Sequence, residues 1–179
     1  MRKLKCGCVL RCWVTVGVLC VLTIAGKSQG TSSVNLGPAA PLIPVLQRLR
    51  EETKVPLRLP SFIPFSDDLD TPLYSSISYM NDTSYDIELS WSQDCSGGNS
   101  CHFGSIHGSK ESQKNRKIIQ FNVDLKPGLK GYFSPATCGG TGCTDAVLAW
   151  MENGYNYSVT MKAGKKEEMV RMAKSAIGR

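Results

Sequence analysis

Residues 138–177 read CGGTGCTDAVLAWMENGYNYSVTMKAGKKEEMVRMAKSAI, and they decide the fold. The stretch is a short loop closed by two cysteines, then a tight hairpin, then a terminal helix. Glu152-Asn153-Gly154 supplies the turn, because Asn-Gly fills the two positive-φ positions of a type I′ hairpin at little cost. Beyond it Tyr155, Tyr157, Val159 and Met161 alternate with Asn156, Ser158, Thr160 and Lys162, the period of a strand with one face buried. Gly164 ends that strand. Met169, Met172, Ala173, Ala176 and Ile177 then share one stripe at helical spacing.

Working back toward the N-terminus, the same two-residue alternation recurs. Tyr85, Ile87, Leu89 and Trp91 alternate with Ser84, Asp86, Glu88 and Ser90. Ile119, Phe121, Val123 and Leu125 alternate with Gln120, Asn122 and Asp124. Residues 73–80 form the strand before the Asn81-Asp82 turn, and residues 131–133 begin another after Pro127-Gly128, which suits a type II turn. Residues 146–151 are apolar on both faces and are expected in the centre of the sheet. Clean alternation marks an antiparallel sheet with one wet face. Residues 41–53 give a helix, with Leu42, Val45, Leu46 and Leu49 at i, i+3, i+4 and i+7; Pro44 fits only in its first turn and Pro56 ends it. Residues 57–65 (LRLPSFIPF) are extended, and Pro60 and Pro64 confine them to an edge or a wrapping segment. The predicted fold class is α+β: a twisted antiparallel sheet of about six strands, with an N-terminal and a C-terminal helix on one face.

The first 26 residues read as an export signal. Arg2, Lys3, Lys5 and Arg11 precede the apolar run WVTVGVLCVLTIA at 13–25, too short to span a membrane and suited to a signal core. Cleavage is expected near Ala25; an uncleaved anchor is the second reading. Lipidation is disfavoured, because Cys20 follows Leu19 and Cys12 follows Arg11 rather than a small residue. Residues 27–40 form a flexible linker and 41–179 a single extracytoplasmic domain. The segment 1–26 engages the membrane during export. The net charge of +6 is mostly this leader: four of the 21 Lys and Arg, and none of the 15 acidic residues, lie in it, which leaves the remainder at +2. Lys110, Lys114, Arg116 and Lys117 cluster without interleaved aromatics, so a solvated loop is preferred and no nucleic-acid partner is expected.

Four of the eight cysteines fall in the leader. The others form two close pairs, Cys95/Cys101 and Cys138/Cys143, each enclosing glycines that let the backbone fold back. In an exported chain disulfides within each pair are the expected state. Zinc held by these cysteines with His102 and His107 is the competing reading, disfavoured by the spacing and by export.

Chemistry is sparse. His102 and His107 are expected as exposed loop residues, and Gly104-Ser105-Ile106-His107-Gly108 fails the G-x-S-x-G pattern of a serine nucleophile. Asp86 and Glu88 lie two apart on a wet strand face. Asp67, Asp68 and Asp70 lack the glycine and glutamate of a calcium loop. Gly139, Gly140 and Gly142 lie between cysteines, not between a strand and a helix, so no phosphate cradle is expected. Asn81-Asp-Thr and Asn156-Tyr-Ser are glycan acceptor sequences. No cofactor, metal or catalytic residue is expected.

The chain is similar to an uncharacterised family of exported bacterial domains, found as small secreted or lipid-anchored proteins and as the outer domain of some membrane-bound anti-sigma factors. Val55-Pro56-Leu57-Arg58-Leu59-Pro60 resembles its V/I-P-x-x-L-P opening. Trp150 to Gly154 with Tyr157 resembles its W-x-x-x-G-x-x-Y hairpin, and Glu168 to Ser175 its closing E-x-x-x-x-A-x-S helix. The twin cysteine loops resemble a cyanobacterial subgroup. The resemblance implies an exported domain and carries no activity and no catalytic residue. Only about a dozen residues precede Trp13, so a direct anti-sigma role is not expected. The reading is therefore a non-enzymatic, disulfide-stabilised binding or sensing module at the cell envelope, with an unidentified envelope or extracellular ligand; it is periplasmic, extracellular or anchored on the outer side. A small hydrolase using His102 or His107 with Asp94 or Glu88, and a carrier of lipid or another hydrophobic ligand in an apolar trough, are the alternatives.

Overall fold

The structure is a computed structural model; it describes residues 37–65, 71–95, 99–110, 121–140 and 142–178. A 3-10 turn at Ala40–Leu42 leads into α1 (Ile43–Glu52). Seven strands follow: β1 (Tyr74–Asn81), β2 (Ser84–Ser90), β3 (His102–Lys110), β4 (Phe121–Lys126), β5 (Leu129–Ser134), β8 (Asp145–Glu152) and β9 (Tyr155–Lys162). A two-rung ribbon, β6 (Cys138–Gly139) and β7 (Gly142–Cys143), lies between β5 and β8, and α2 (Lys166–Ile177) follows β9. The sheet order is β1-β2-β3-β9-β8-β5-β4, and every neighbouring pair is antiparallel.

Local chemistry explains the connections. Asn153 (φ 53°) and Gly154 (φ 80°) occupy the positive-φ corners of the β8–β9 turn, and Gly128 (φ 77°) the second corner of the β4–β5 turn. At the β1–β2 turn Asn81 Oδ1 accepts the backbone N–H groups of Thr83 and Ser84, both at 2.8 Å. Pro44 sits in the first turn of α1, where the missing N–H costs nothing.

One face of the sheet is covered. Tyr85, Ile87, Leu89, Ile106, Leu148, Val159 and Met161 meet Leu42 and Leu49 from the α1 end and Met169, Met172 and Ile177 from α2, all essentially inaccessible. Each such side chain contributes roughly 2 kcal/mol by leaving water. The proline-rich segment wraps the same side without joining a ladder: Tyr157 donates its hydroxyl hydrogen to the Pro56 carbonyl, and the Tyr85 hydroxyl accepts the Arg58 N–H. Arg58 Nε also holds Glu152 at 2.7 Å, and Lys126 holds the other carboxylate oxygen. Burial pushes the Glu152 carboxyl up, but the Lys126 and Arg58 hydrogen bonds outweigh that and leave it below its ordinary value. A lowered carboxyl stabilises the fold above the usual carboxylate range, and that contribution is lost as pH falls through the lowered value.

The architecture is the expected α+β antiparallel sheet with an N-terminal and a C-terminal helix, and three details differ. The main sheet has seven strands, because residues 102–110 form β3 where the sequence suggested a histidine-bearing loop. Its buried positions are Phe103, Gly104, Ile106 and Gly108; two of the four are glycines and Phe103 falls out of phase with the rest, so the apolar half of the alternation is weak. The glycines are there for contact: a Cβ on Gly104 would stand 2.1 Å from the Thr160 carbonyl oxygen, and one on Gly108 2.4 Å from the Tyr85 ring. Lys110 accordingly ends a strand, while 111–120, with Lys114, Arg116 and Lys117, lie outside the described residues. Finally, β9 is the middle strand, and β8, expected there, is its neighbour with Val147 and Ala149 only partly covered.

Gly104→Ala should destabilise the protein by about 3 kcal/mol, since the added methyl meets backbone and not a movable side chain. Chemical denaturation measures it; a loss below about 0.5 kcal/mol would contradict the close approach of β3 and β9.

Candidate functional site

The structure bonds Cys95 to Cys101 and Cys138 to Cys143, with Cα separations of 5.8 and 4.0 Å. The bonded pairs fit an oxidising, non-cytoplasmic setting. Both loops lie at one end of the sheet, where β2 and β9 finish and β3 and β8 begin. The first loop is tied to β2 by the Trp91 N–H, which donates to the Cys101 carbonyl at 2.8 Å. The second is tied to β9: Ala163 N–H donates to the Thr144 carbonyl at 3.2 Å, and Thr144 N–H to Thr137 at 2.9 Å.

Between these ties lies an open cleft of about 400 Å³. Phe65, Trp91, Phe103 and Met161 form its apolar lining, and Lys162, Lys165 and Glu168 carry its charges. Cys143 and Ala163 complete the wall. The Trp91 and Phe103 rings meet edge to face at 5.0 Å, and Phe65 tilts toward Trp91 at 6.1 Å. Phe65 is 55% exposed, unusual for a phenylalanine in an aromatic cluster. Phe65 (φ 64°) and Ala163 (φ 52°) both hold left-handed backbone conformations, each costing an L-residue on the order of 1 kcal/mol. Among the described residues the only other non-glycine of this kind is Asn153 in the hairpin turn, where asparagine is at home.

A β-bulge creates both the cleft and its polar neighbour. Leu89 pairs with Gly104 but Ser90 pairs with His102, so Phe103 is an extra residue on β3. The phase change turns Phe103 inward, into the cleft, and leaves His102 on the uncovered face. There His102 Nε2 lies 2.9 Å from Asp145 Oδ2 and Nδ1 lies 3.4 Å from Glu88 Oε1. Thr160 donates its hydroxyl to the same Asp145 oxygen at 3.2 Å and accepts the Ser105 N–H at 2.8 Å. His107 is separately placed beside Asp86, Nδ1 to Oδ2 at 3.3 Å. The histidines are thus strand residues, not loop residues, each facing a carboxylate across the ladder.

The hydrolase alternative finds little here. Glu88 does approach His102, but Asp94 lies on the exposed loop beyond β2 with no histidine partner. Both ring nitrogens of His102 face carboxylates, and the Ser105 hydroxyl is within hydrogen-bond reach of Thr160, not of a histidine. Asp86 and Glu88 share the uncovered face, each opposite a different histidine. Among the described residues no group of three or more His, Cys, Asp and Glu is arranged to hold a metal ion. The calcium-like aspartates Asp67, Asp68 and Asp70 lie outside the described residues, and no described helix is long and apolar enough to cross a membrane. Gly139 and Gly142 belong to the cysteine ribbon. Of the two acceptor asparagines, Asn81 is exposed at a hairpin and Asn156 is partly covered within β9.

The aromatic cleft was not legible as a unit. Its members come from five separated segments, around Phe65, Trp91, Phe103, Cys143 and 161–168, and no local pattern joins them. The visible signal was the adjacency of Trp91 to the first cysteine loop and of Lys162-Ala163-Gly164 to α2. No protein-family model, no curated protein and no solved structure matches this chain.

Replacing Cys138 and Cys143 together by serine should cost about 2 kcal/mol of stability, the value expected for so short a closed loop. A thermal or urea unfolding curve indistinguishable from the parent would show that the second loop is held without its disulfide.

Proposed function

We propose that this chain is an exported, non-enzymatic binding module acting at the cell envelope or outside it, and that the aromatic cleft is where its ligand sits. One observation carries the reading. The second disulfide and two left-handed non-glycine residues line one cleft, next to the first disulfide loop, that leaves aromatic surface open to water. Strain and exposed apolar area both cost stability, and such costs concentrate where a protein binds something. The volume lies in the range of small-molecule sites. The alternation of the leader, the linker and a disulfide-bearing domain supports export. The V-P-x-x-L-P segment, the Trp150–Tyr157 hairpin and the closing helix all serve the same one-sided sheet, which supports membership in the exported bacterial family they resemble.

A lipid-carrier role is less well supported. It needs an apolar cavity between sheet and helices, and that layer is occupied by Leu42, Leu49, Tyr85, Ile87, Met169 and Met172. The cleft lies at the margin of this core and opens to solvent.

The reading is tested by nuclear magnetic resonance on the full chain, oxidised and labelled at tryptophan. Titration with 2-naphthalenemethanol, a neutral ring probe, should move the indole N–H signal of half-exposed Trp91 and leave that of buried Trp150 in place. Equal movement of both, or none with this probe, would contradict a binding site at the cleft.

A further inference from the structure

The charges around the cleft define the ligand more narrowly. Lys162 extends from the end of β9, and its ammonium donates to the Asn99 carbonyl, which fixes the amine beside the first disulfide loop and leaves it further N–H groups. Lys165, exposed just before α2, supplies a second cation on the same side. Glu168, one helical turn on, is the single acid among the described lining residues. The lining beside them is aromatic: the Trp91 and Phe103 rings meet at right angles, and Phe65 tilts toward Trp91. A planar ring is the shape that such mixed faces and edges receive best.

We infer that the cleft binds an aromatic carboxylate, its ring on Trp91 and Phe65 and its single negative charge between Lys162 and Lys165. This rests on the cleft being the binding site and goes beyond it in naming the ligand's charge. Glu168 sets an upper limit on that charge, because a second anionic group would face it. The contacts are at the surface, so each contributes modestly and weakens with salt.

Three probes with the same ring and different charge separate the possibilities: 2-naphthoate, 2-naphthalenemethanol and 2-naphthylmethylamine, titrated calorimetrically into the oxidised full chain at low salt. Naphthoate should bind about tenfold more tightly than the alcohol, with the amine weakest. Relative to the alcohol, Lys165→Met should weaken naphthoate binding about threefold and Glu168→Gln should tighten it by a similar factor. Lys165 is exposed and Glu168 is only partly buried, so the variants should keep the parent's unfolding midpoint. Naphthoate binding no tighter than the alcohol overturns the charge assignment and leaves the cleft reading standing. Weaker naphthoate binding in Glu168→Gln also overturns it, since the acid would then be serving a cationic group on the ligand. If none of the three probes binds, both readings fall together.

Discussion

The seam between β3 and β9 is the interaction on which the molecule depends. It joins the hairpin set β1-β2-β3 to the set β9-β8-β5-β4, across about fifty residues of sequence. Gly104 brings the β3 backbone against the β9 backbone at Thr160, and Gly108 leaves room for the Tyr85 ring. Tyr85 and Tyr157 fill the space so freed and anchor the proline-rich wrap through Arg58 and Pro56. Burial raises both phenols, Tyr157 to about 12, so they stay neutral donors and acceptors at ordinary pH. Without this seam neither the covered face nor the sheet end that carries the disulfides would be assembled.

The features legible in the sequence were those with strong local signals. The Asn153-Gly154 turn, the alternation of Tyr155 to Lys162, the stripe of α2 and the two cysteine pairs each declare themselves within about ten residues. β3 did not, because two of its inward residues are glycines and its phase slips at Phe103. Glycine carries no hydropathy signal, and what makes it necessary here is a contact with Thr160, some fifty-six positions away. The pairing of His102 with Asp145 and Glu88 was hidden for the same reason. It follows from strand order, which no local pattern encodes.

The two faces of the sheet divide the work. The covered face supplies burial and little else. The uncovered face carries the lattice from Glu88 through His102 and Asp145 to Thr160 and Ser105, in which His102 reaches past β9 to Asp145 on β8 and the other partners lie on adjacent strands. Such contacts add register specificity more than stability, since partly exposed pairs are worth little. The cleft belongs to neither face. It forms where strands end, from side chains that the bulge, the disulfides and α2 direct to one point, and it is where strain and exposed aromatic surface coincide.

The central claim is that the two disulfide loops hold this sheet end locally and that the β3–β9 seam holds the rest. Amide hydrogen exchange, compared between oxidised protein and protein reduced under native conditions, addresses it directly. The account predicts that reduction lowers protection at Trp91, Thr144 and Ala163 and leaves Ile106, Leu148 and Val159 as they were. Uniform loss across the sheet, or unchanged protection at Trp91 and Ala163, would contradict it.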